Sequence, residues 1–155
     1  MKIIILGGTG LIGKALQKSL SNEHQITCFN RDAFKSVEHL FSLIEGSDVV
    51  IQLSGSVISK RWSQKVIRDM WQSRVDTNQM LSRAVKLLSI KPRVICSSGI
   101  SFYAESSCDE PKTEEDLKGD GYLTNLNIAI EDAARLISDD VIILRFGVVL
   151  SREGG

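Results

Sequence analysis

Hydrophobic residues recur along the chain in two alternating patterns: short continuous runs, and longer stretches with apolar positions three and four residues apart. The first run covers residues 3–6 and predicts a buried strand. Residues 11–20 then place apolar side chains at helical spacing, and a glycine-rich turn separates the two segments. The N-terminal part of the chain is therefore expected to fold as strand, tight turn and helix.

The same alternation continues to the end of the sequence. The further predicted elements are strands at 25–29, 47–53, 93–96 and 141–146, and helices at 33–46, 64–89 and 122–138. Alternating strands and helices predict an α/β fold, a three-layer Rossmann-like doubly wound parallel sheet with right-handed crossovers. The helix at 33–46 leads directly to the third strand, which predicts a sheet reduced to about five or six strands.

Three glycines shape the first turn. Gly7, Gly10 and Gly13 are spaced G-x-x-G-x-x-G between the first strand and the first helix. In this position Gly7 allows a sharp turn, Gly10 lets a pyrophosphate approach the backbone, and Gly13 lets the helix pack closely on the strand. The free N–H groups of the helix N-terminus favour phosphate. The turn predicts a dinucleotide site; the alternative is a plain glycine turn.

The end of the second predicted strand bears on the choice of dinucleotide. Arg31 and Asp32 follow that strand, where a dinucleotide fold places the adenosine ribose. An acidic residue there suits the ribose hydroxyls of NAD, whereas an arginine suits the 2′-phosphate of NADP. Because Arg31 comes first, NADP is favoured and NAD is the alternative. Arg31 can also be read as a solvated loop residue.

A pair of serines ends the fourth predicted strand. Ser97 and Ser98 follow the predicted strand at 93–96. Serines at the tip of a central parallel strand point toward the ligand crevice, where a hydroxyl can bond a substrate oxygen. Capping of a turn is the alternative role.

Composition narrows the classes of function. The 155 residues are enough for one domain, carry no net charge and contain no apolar run of the roughly 20 residues that a membrane helix needs. Nucleic acid and membranes are therefore not expected as partners. Cys28, Cys96 and Cys108 are an odd number without metal-type spacing, which favours a reduced, cytoplasmic protein. His24 and His39 have no ligand partner nearby, so no metal is expected.

Several motifs occur together in an order that resembles one family. They are the 7–13 loop, Asp48-Val-Val-Ile-Gln-Leu-Ser-Gly55, Arg61-Trp62, Ser73-Arg74, the 98–103 segment and Leu144-Arg-Phe-Gly-Val-Val-Leu-Ser-Arg-Glu-Gly-Gly155. The chain is similar to the N-terminal portion of the NAD(P)-dependent epimerase/dehydratase family. Within the short-chain dehydrogenase/reductase superfamily it most resembles the atypical, sugar-nucleotide-epimerase-like branch.

The resemblance implies a set of cofactor contacts. The phosphate loop would be formed by Gly7, Gly10, Leu11, Ile12 and Gly13, and the 2′-phosphate would be bound by Arg31. The adenosine side would be lined by Leu53, Ser54 and Gly55, and the nicotinamide side by Gly147 and Val148. It also matches Ser98 to the serine of the active-site strand.

The resemblance is weaker at the proton-transfer residues. Superfamily catalysis uses a tyrosine with a lysine four residues later, and the lysine favours ionisation of the phenol. Tyr122 occupies the tyrosine position, but Leu126 stands in place of the lysine. Members of the branch commonly carry phenylalanine at the position of Tyr122. Tyr103 is a second candidate phenol, so the candidate catalytic residues are Ser98, Tyr103 and Tyr122.

Three functional interpretations remain open from the sequence. The first is an NADP(H)-binding domain of an epimerase or oxidoreductase that acts on a small, sugar-nucleotide-like molecule by nicotinamide hydride chemistry. The second is a non-catalytic dinucleotide-binding module, and the third is a binding half that acts only with a further domain. Family members continue for about another domain. Residues 1–155 are therefore expected to be a truncated Rossmann domain without its C-terminal substrate subdomain, and a homodimer stays open.

Overall fold

A parallel sheet organises the computed structural model, which describes residues 1–105 and 111–152. Within these residues the sheet has five strands in the order β2-β1-β3-β4-β5, and every neighbouring pair is parallel. The strands are Lys2–Leu6 (β1), Gln25–Phe29 (β2), Val49–Gln52 (β3), Arg93–Gly99 (β4) and Ile142–Phe146 (β5). The predicted α/β fold and the reduced sheet are confirmed.

Helices cover both faces of the sheet. They are Leu11–Leu20 (α1), Val37–Ile44 (α2), Gln64–Trp71 (α3), Thr77–Lys86 (α4) and Tyr122–Arg135 (α5). Helices α2, α4 and α5 bury one face, where Ile4, Val50 and Cys96 meet apolar side chains of the helices. Helix α1 packs on the other face through Leu16 and Leu20. Most of the core therefore lies on the α2–α4–α5 side.

The predicted helix at 33–46 is divided in two. A short 3-10 turn covers Arg31–Phe34, and α2 begins only at Val37. The Ser36 hydroxyl accepts the His39 N–H at 3.1 Å and caps α2. Serine at this position favours a cap over a helix interior, because its hydroxyl satisfies a backbone donor that the helix start leaves free.

The predicted helix at 64–89 runs without a loop but contains a π-helical turn at Gln72–Asp76. This turn separates α3 from α4 and presents Ser73 and Arg74 toward the loop after β3. The helix also ends earlier than predicted, at Lys86. π-helical turns inside α-helices occur frequently at functional sites.

Strand β4 is longer than the predicted 93–96. Residues Ser97–Gly99 join the sheet because β5 pairs with them, with Ser98 opposite Arg145. This pairing carries Ser98 to the carboxyl edge of the sheet. The structure also differs from the prediction at α5, which ends at Arg135 and not at 138.

Two cysteines lie in or beside the core. Cys96 is fully buried, and burial raises the pKa of its thiol to about 12. Cys28 is half-buried, and burial raises the pKa of its thiol as well. Cys108 lies outside the described residues. In residues 1–105 and 111–152 no helix is long and apolar enough to cross a membrane.

Candidate functional site

The turn between β1 and α1 is a tight glycine structure. Gly7 has a positive φ of 93°, and its N–H donates to the Phe29 carbonyl at 2.7 Å. A Cβ on Gly7 would stand 2.8 Å from the Leu53 carbonyl carbon, closer than packed atoms approach. Glycine is therefore required here both for the backbone conformation and for the contact between the ends of β1 and β3.

The start of α1 is open to a ligand. Gly10 precedes the helix with extended backbone, no side chain caps the first turn, and the first turn contains no acidic residue. A Cβ on Gly13 would lie 2.7 Å from the Gly7 oxygen, so the helix packs directly on the turn. Leu11 and Ile12 are the first helical residues. Uncapped N–H groups and the positive end of the helix dipole suit an anion at this point.

A cleft of about 490 Å³ opens beside this turn. It lies between the ends of β1 and β3, where the chain turns from one side of the sheet to the other. In open α/β sheets ligands bind at this switch point, outside the carboxyl ends of the strands. The cleft is lined by Gly7, Thr9, Gly10, Asn30, Arg31, Phe34, Leu53, Ser54, Gly55, Asp69, Gln72, Ser73 and Thr77.

Arg31 stands at the rim of the cleft as an exposed charge. The neighbouring acid, Asp32, faces Lys35 at 3.8 Å. Arg31 has no ion pair among the described residues. The Thr9 hydroxyl donates to the Asn30 side-chain oxygen at 2.9 Å and ties the glycine turn to the end of β2. A cation is thus available where the end of β2 meets the cleft.

Unsatisfied polar atoms gather at the end of β3. Ser54 Oγ, Ser56 Oγ and Gln52 Nε2 are buried and have no hydrogen-bond partner within the described part of the chain. Buried polar atoms are normally paired, so unpaired ones indicate a partner such as a bound polar molecule. Ser54 lines the cleft. These atoms and the open glycine turn fit a polar, phosphate-bearing ligand such as a dinucleotide.

The π-helical turn holds the loop after β3. The Ser56 N–H donates to Ser73 Oγ at 2.9 Å, and Arg74 Nη2 donates to the Ser56 carbonyl at 2.8 Å. A Cβ on Gly55 would stand 2.9 Å from Arg74 Cζ, so only glycine fits over the guanidinium. Burial lowers the pKa of Arg74. Arg74 belongs to the Ser73-Arg74 motif, but the sequence alone indicates no role for its side chain.

The three candidate catalytic hydroxyls lie in two different places. Ser98 Oγ donates to Glu131 Oε1 at 2.9 Å, and Tyr103 Oη accepts a hydrogen bond from Arg145 at 2.7 Å. Both therefore belong to one network at the ends of β4 and β5. Tyr122 is elsewhere: its hydroxyl donates to the backbone carbonyl of Ile67 at 2.9 Å.

Tyr122 packs as a structural side chain in the cluster between α3 and α5. Its ring meets Trp62 edge to face, with centroids 5.5 Å apart. Burial raises the pKa of the Tyr122 phenol, and the charge of Arg74 opposes this shift in part. Leu126, in the place of the superfamily lysine, is buried against Met70. A tyrosine–lysine pair is thus absent from α5.

Glu131 is the charged centre of the Ser98–Tyr103 network. Its carboxylate is 1% exposed and accepts Arg145 Nε at 2.7 Å, Arg145 Nη2 at 2.8 Å and Arg135 Nη2 at 2.9 Å. Burial raises the pKa of Glu131, but the hydrogen bonds from Arg145, Ser98 and Arg135 outweigh it and leave the pKa below its usual range. The hydrogen bond to Glu131 raises the pKa of Arg145. We name these four residues, Ser98, Tyr103, Glu131 and Arg145, the β4–β5 cluster.

Sequence reasoning missed Glu131 and Arg145. The signal was a charged residue inside an apolar pattern: Glu131 follows Ile130 on a helix face, and Arg145 follows Leu144 in a strand. Charges in such positions are rarely buried unless paired. Gly147 and Val148 lie beyond the end of β5, where Val148 is 84% exposed.

Metal ligands do not assemble in the described ranges, where no group of three His, Cys, Asp or Glu side chains could hold an ion. The arrangement is a cleft at β1–β3 and a hydrogen-bonded cluster at β4–β5, side by side along the carboxyl edge of one sheet.

The fold and the glycine turn define a Rossmann-type domain. The family model for the NAD dependent epimerase/dehydratase family matches residues 3–125, and the chain therefore belongs to that family. The family expected from the sequence motifs is confirmed.

Relatives and solved structures agree with this assignment. Epimerase family protein SDR39U1 of Bos taurus is 31% identical, over 100% of this chain and 56% of that protein. The crystal structure of human epimerase family protein SDR39U1 (isoform2) with NADPH superposes with a TM-score of 0.84 and 28% identity, over 100% of this chain and 56% of that one.

The nucleoside-diphosphate sugar epimerase of Corynebacterium glutamicum gives a TM-score of 0.79 and 28% identity, over 100% of this chain and 35% of that one. UDP-glucuronic acid 4-epimerase from Bacillus cereus, solved in complex with NAD, shares the fold with a TM-score of 0.77 and 19% identity, over 95% of this chain and 57% of that one. The chain spans little more than half the length of the curated relatives it matches.

Proposed function

We propose that this chain is the NADP(H)-binding domain of an epimerase or oxidoreductase acting on a small, sugar-nucleotide-like molecule. The observation that carries the proposal is the cleft at the β1–β3 switch point, with an uncapped helix N-terminus at one side and Arg31 at its rim. The similar human protein was solved with NADPH, which supports the same cofactor here. When bound, the nicotinamide supplies the hydride chemistry.

The phosphates would be held by backbone. Gly7, Gly10 and Gly13 leave the turn without side chains, so the N–H groups at the start of α1, Leu11 and Ile12 among them, can face a pyrophosphate. This explains why the first turn of α1 has neither a capping side chain nor an acid.

The two ends of the dinucleotide would be held by the loops after β2, β3 and β5. Arg31 would bind the 2′-phosphate, since it is an exposed cation at the rim of the cleft, beside the predicted ribose position. Leu53, Ser54 and Gly55 would run along the adenosine side, where the ligand would satisfy the buried Ser54 hydroxyl. Gly147 and Val148 are assigned to the nicotinamide side by family resemblance alone.

A second candidate function is a dinucleotide-binding module without turnover. Two observations favour it: Leu126 stands in place of the superfamily lysine, and the Tyr122 proton is already donated to the Ile67 carbonyl. The usual tyrosine–lysine chemistry therefore has no place on α5. An enzyme and a binding module would use the same cleft. They would differ only in whether a group other than Tyr122 transfers a proton to the substrate.

Titration of the chain with NADPH and NADH tests the proposed cofactor. Hydrogen bonds to charged groups contribute about 1.5–3 kcal/mol, so Arg31→Ala is expected to weaken NADPH binding by roughly tenfold or more and leave NADH binding nearly unchanged. Arg83→Ala is the matched control, because Arg83 is exposed on α4 and does not line the cleft. Equal loss of both dinucleotides would contradict the assignment of Arg31. Failure of the chain to bind NADPH would contradict the proposed function.

A further inference from the structure

The protons of the three candidate hydroxyls are not equally available. Ser98 gives its proton to Glu131, and Tyr122 gives its proton to the Ile67 carbonyl. The Tyr103 oxygen instead accepts an N–H from Arg145, and among residues 1–105 and 111–152 no oxygen accepts the Tyr103 proton. As far as residues 1–105 and 111–152 show, Tyr103 is the one hydroxyl of the three whose proton is available to a bound ligand.

Arg145 fixes the Tyr103 oxygen from a rigid position. Two of its nitrogens bind both oxygens of Glu131, and its guanidinium lies 3.6 Å from the centre of the Phe102 ring. Its side chain is 15% exposed, and the Glu131 carboxylate is 1% exposed. A guanidinium held in this way by carboxylate and ring has little freedom to turn away from the phenol.

The backbone also places Tyr103 at the ligand-binding edge. The 3-10 turn Ile100–Phe102 follows β4 directly, and Tyr103 forms a bridge with Lys118. The Thr124 hydroxyl at the start of α5 donates to the Ser101 carbonyl at 2.8 Å and holds the turn. Tyr103 thus lies just beyond the carboxyl ends of β4 and β5, the edge at which parallel sheets bind ligands.

We propose that Tyr103 is the proton donor to a substrate carbonyl oxygen and that Arg145, positioned by Glu131, replaces the lysine missing from α5. The inference rests on the proposed function. As a hydride from the reduced nicotinamide bonds to the carbonyl carbon, the π pair of the C=O bond moves to oxygen, and that oxygen takes the Tyr103 proton. The phenolate left behind lies 2.7 Å from the Arg145 nitrogen and recovers a proton from water.

Raman spectroscopy of the tyrosine ring doublet tests the hydrogen bond without any ligand. The intensity ratio of the doublet is high when the phenol oxygen only accepts a hydrogen bond and low when the phenol only donates one. The sequence has two tyrosines, so Tyr122→Phe leaves Tyr103 as the single reporter, and Tyr103→Phe leaves Tyr122. Because the Tyr103 oxygen accepts a hydrogen bond from Arg145, we expect a higher ratio for Tyr103 than for Tyr122, whose hydroxyl donates to the Ile67 carbonyl. A donor-type ratio for Tyr103 would overturn the proposal.

Variants of Arg145 in the Tyr122→Phe background identify the partner. Arg145→Lys should keep the high ratio of Tyr103, whereas Arg145→Met should lower it. Because Arg145→Met removes two of the hydrogen bonds to a buried carboxylate, the double variant Glu131→Gln/Arg145→Met provides a second version without that charge, which should also show a lowered ratio. An unchanged ratio in the double variant would show that Arg145 does not hold Tyr103, and would overturn the proposal.

Proton transfer is tested with phenanthrenequinone as a dicarbonyl probe, following NADPH oxidation. Tyr103→Phe should lower the rate at least about tenfold with NADPH affinity unchanged, as expected for loss of a general acid. Unaltered turnover in Tyr103→Phe, or no turnover by the unaltered chain while NADPH binds, would overturn the proposal. Absence of NADPH binding would instead refute the proposed function, and the Raman ratios would still decide whether Arg145 holds Tyr103.

Discussion

Replacement of Arg145 by methionine should destabilise the protein far more than the same replacement at Arg135. Both arginines bind Glu131, but the side chain of Arg145 is 15% exposed and that of Arg135 is 52% exposed. Arg145 provides two of the hydrogen bonds that Glu131 accepts, and Arg135 provides one. The two substitutions therefore remove a buried and an exposed partner of the same carboxylate.

The magnitude follows from these contacts. Two hydrogen bonds to a charged group contribute about 1.5–3 kcal/mol each, and breaking a buried ion pair costs about 3–5 kcal/mol. We therefore expect Arg145→Met to lower the free energy of unfolding by about 3–4 kcal/mol. Arg135→Met removes a partly solvated pair and should cost about 0–1 kcal/mol.

Urea unfolding followed by circular dichroism near neutral pH measures both changes. With an m value of about 2 kcal/mol per M, Arg145→Met should shift the midpoint by about 1.5–2 M. Glu131→Gln and the double variant complete a cycle that isolates the coupling between Glu131 and Arg145. Equal effects of Arg145→Met and Arg135→Met, or a coupling near zero, would refute the buried-pair interpretation.

The same pair predicts a pH dependence. Because the pKa of Glu131 is lower in the folded protein, its stabilising effect is present above the unfolded value of 4.5 and is lost as the pH falls below it. The difference in unfolding free energy between the unaltered chain and Glu131→Gln should therefore shrink on acidification through that range. A difference that grows on acidification would contradict the assigned direction.

Two further predictions concern the glycine turn and Tyr122. Gly13→Ala should destabilise the fold by about 1–3 kcal/mol in urea unfolding, because the added Cβ would lie 2.7 Å from the Gly7 oxygen. Gly10→Ala should mainly weaken NADPH binding, because its added Cβ would lie 3.3 Å from that oxygen. The reverse order of these two effects would contradict the geometry of the turn. In Tyr103→Phe, tyrosinate absorbance should show Tyr122 ionising above the ordinary 10.0, because burial raises its pKa. Ionisation below that value would contradict the packing described for Tyr122.

Local pattern was sufficient for much of the fold. Strand β2 and helix α1 occur as predicted, because the apolar side chains of the two segments pack together on one face of the sheet. The glycine spacing similarly located the turn at Gly7, where a positive φ is observed. Each of these features is determined by residues that are close to one another in the sequence.

Features that depend on distant partners were not predicted. Strand β4 extends to Gly99 only because β5 pairs with it, and the π-helical turn places Arg74 under a loop that precedes it by 18 positions. Glu131 and Arg145 come from a helix and a strand, and nothing in either segment alone shows that they meet. The prediction of a helix at 33–46 is wrong for a local reason, since Ser36 caps a helix that begins at Val37 and is not itself a helical residue.

A crystal structure of this chain grown with saturating NADPH would test the central claim most directly. We predict the pyrophosphate at the N-terminus of α1 against Gly10, the 2′-phosphate at Arg31, and the Ser54 hydroxyl in contact with the ligand. A dinucleotide bound away from the β1–β3 cleft, or an empty cleft at saturating NADPH, would contradict the proposal that the glycine turn of this protein is a dinucleotide site.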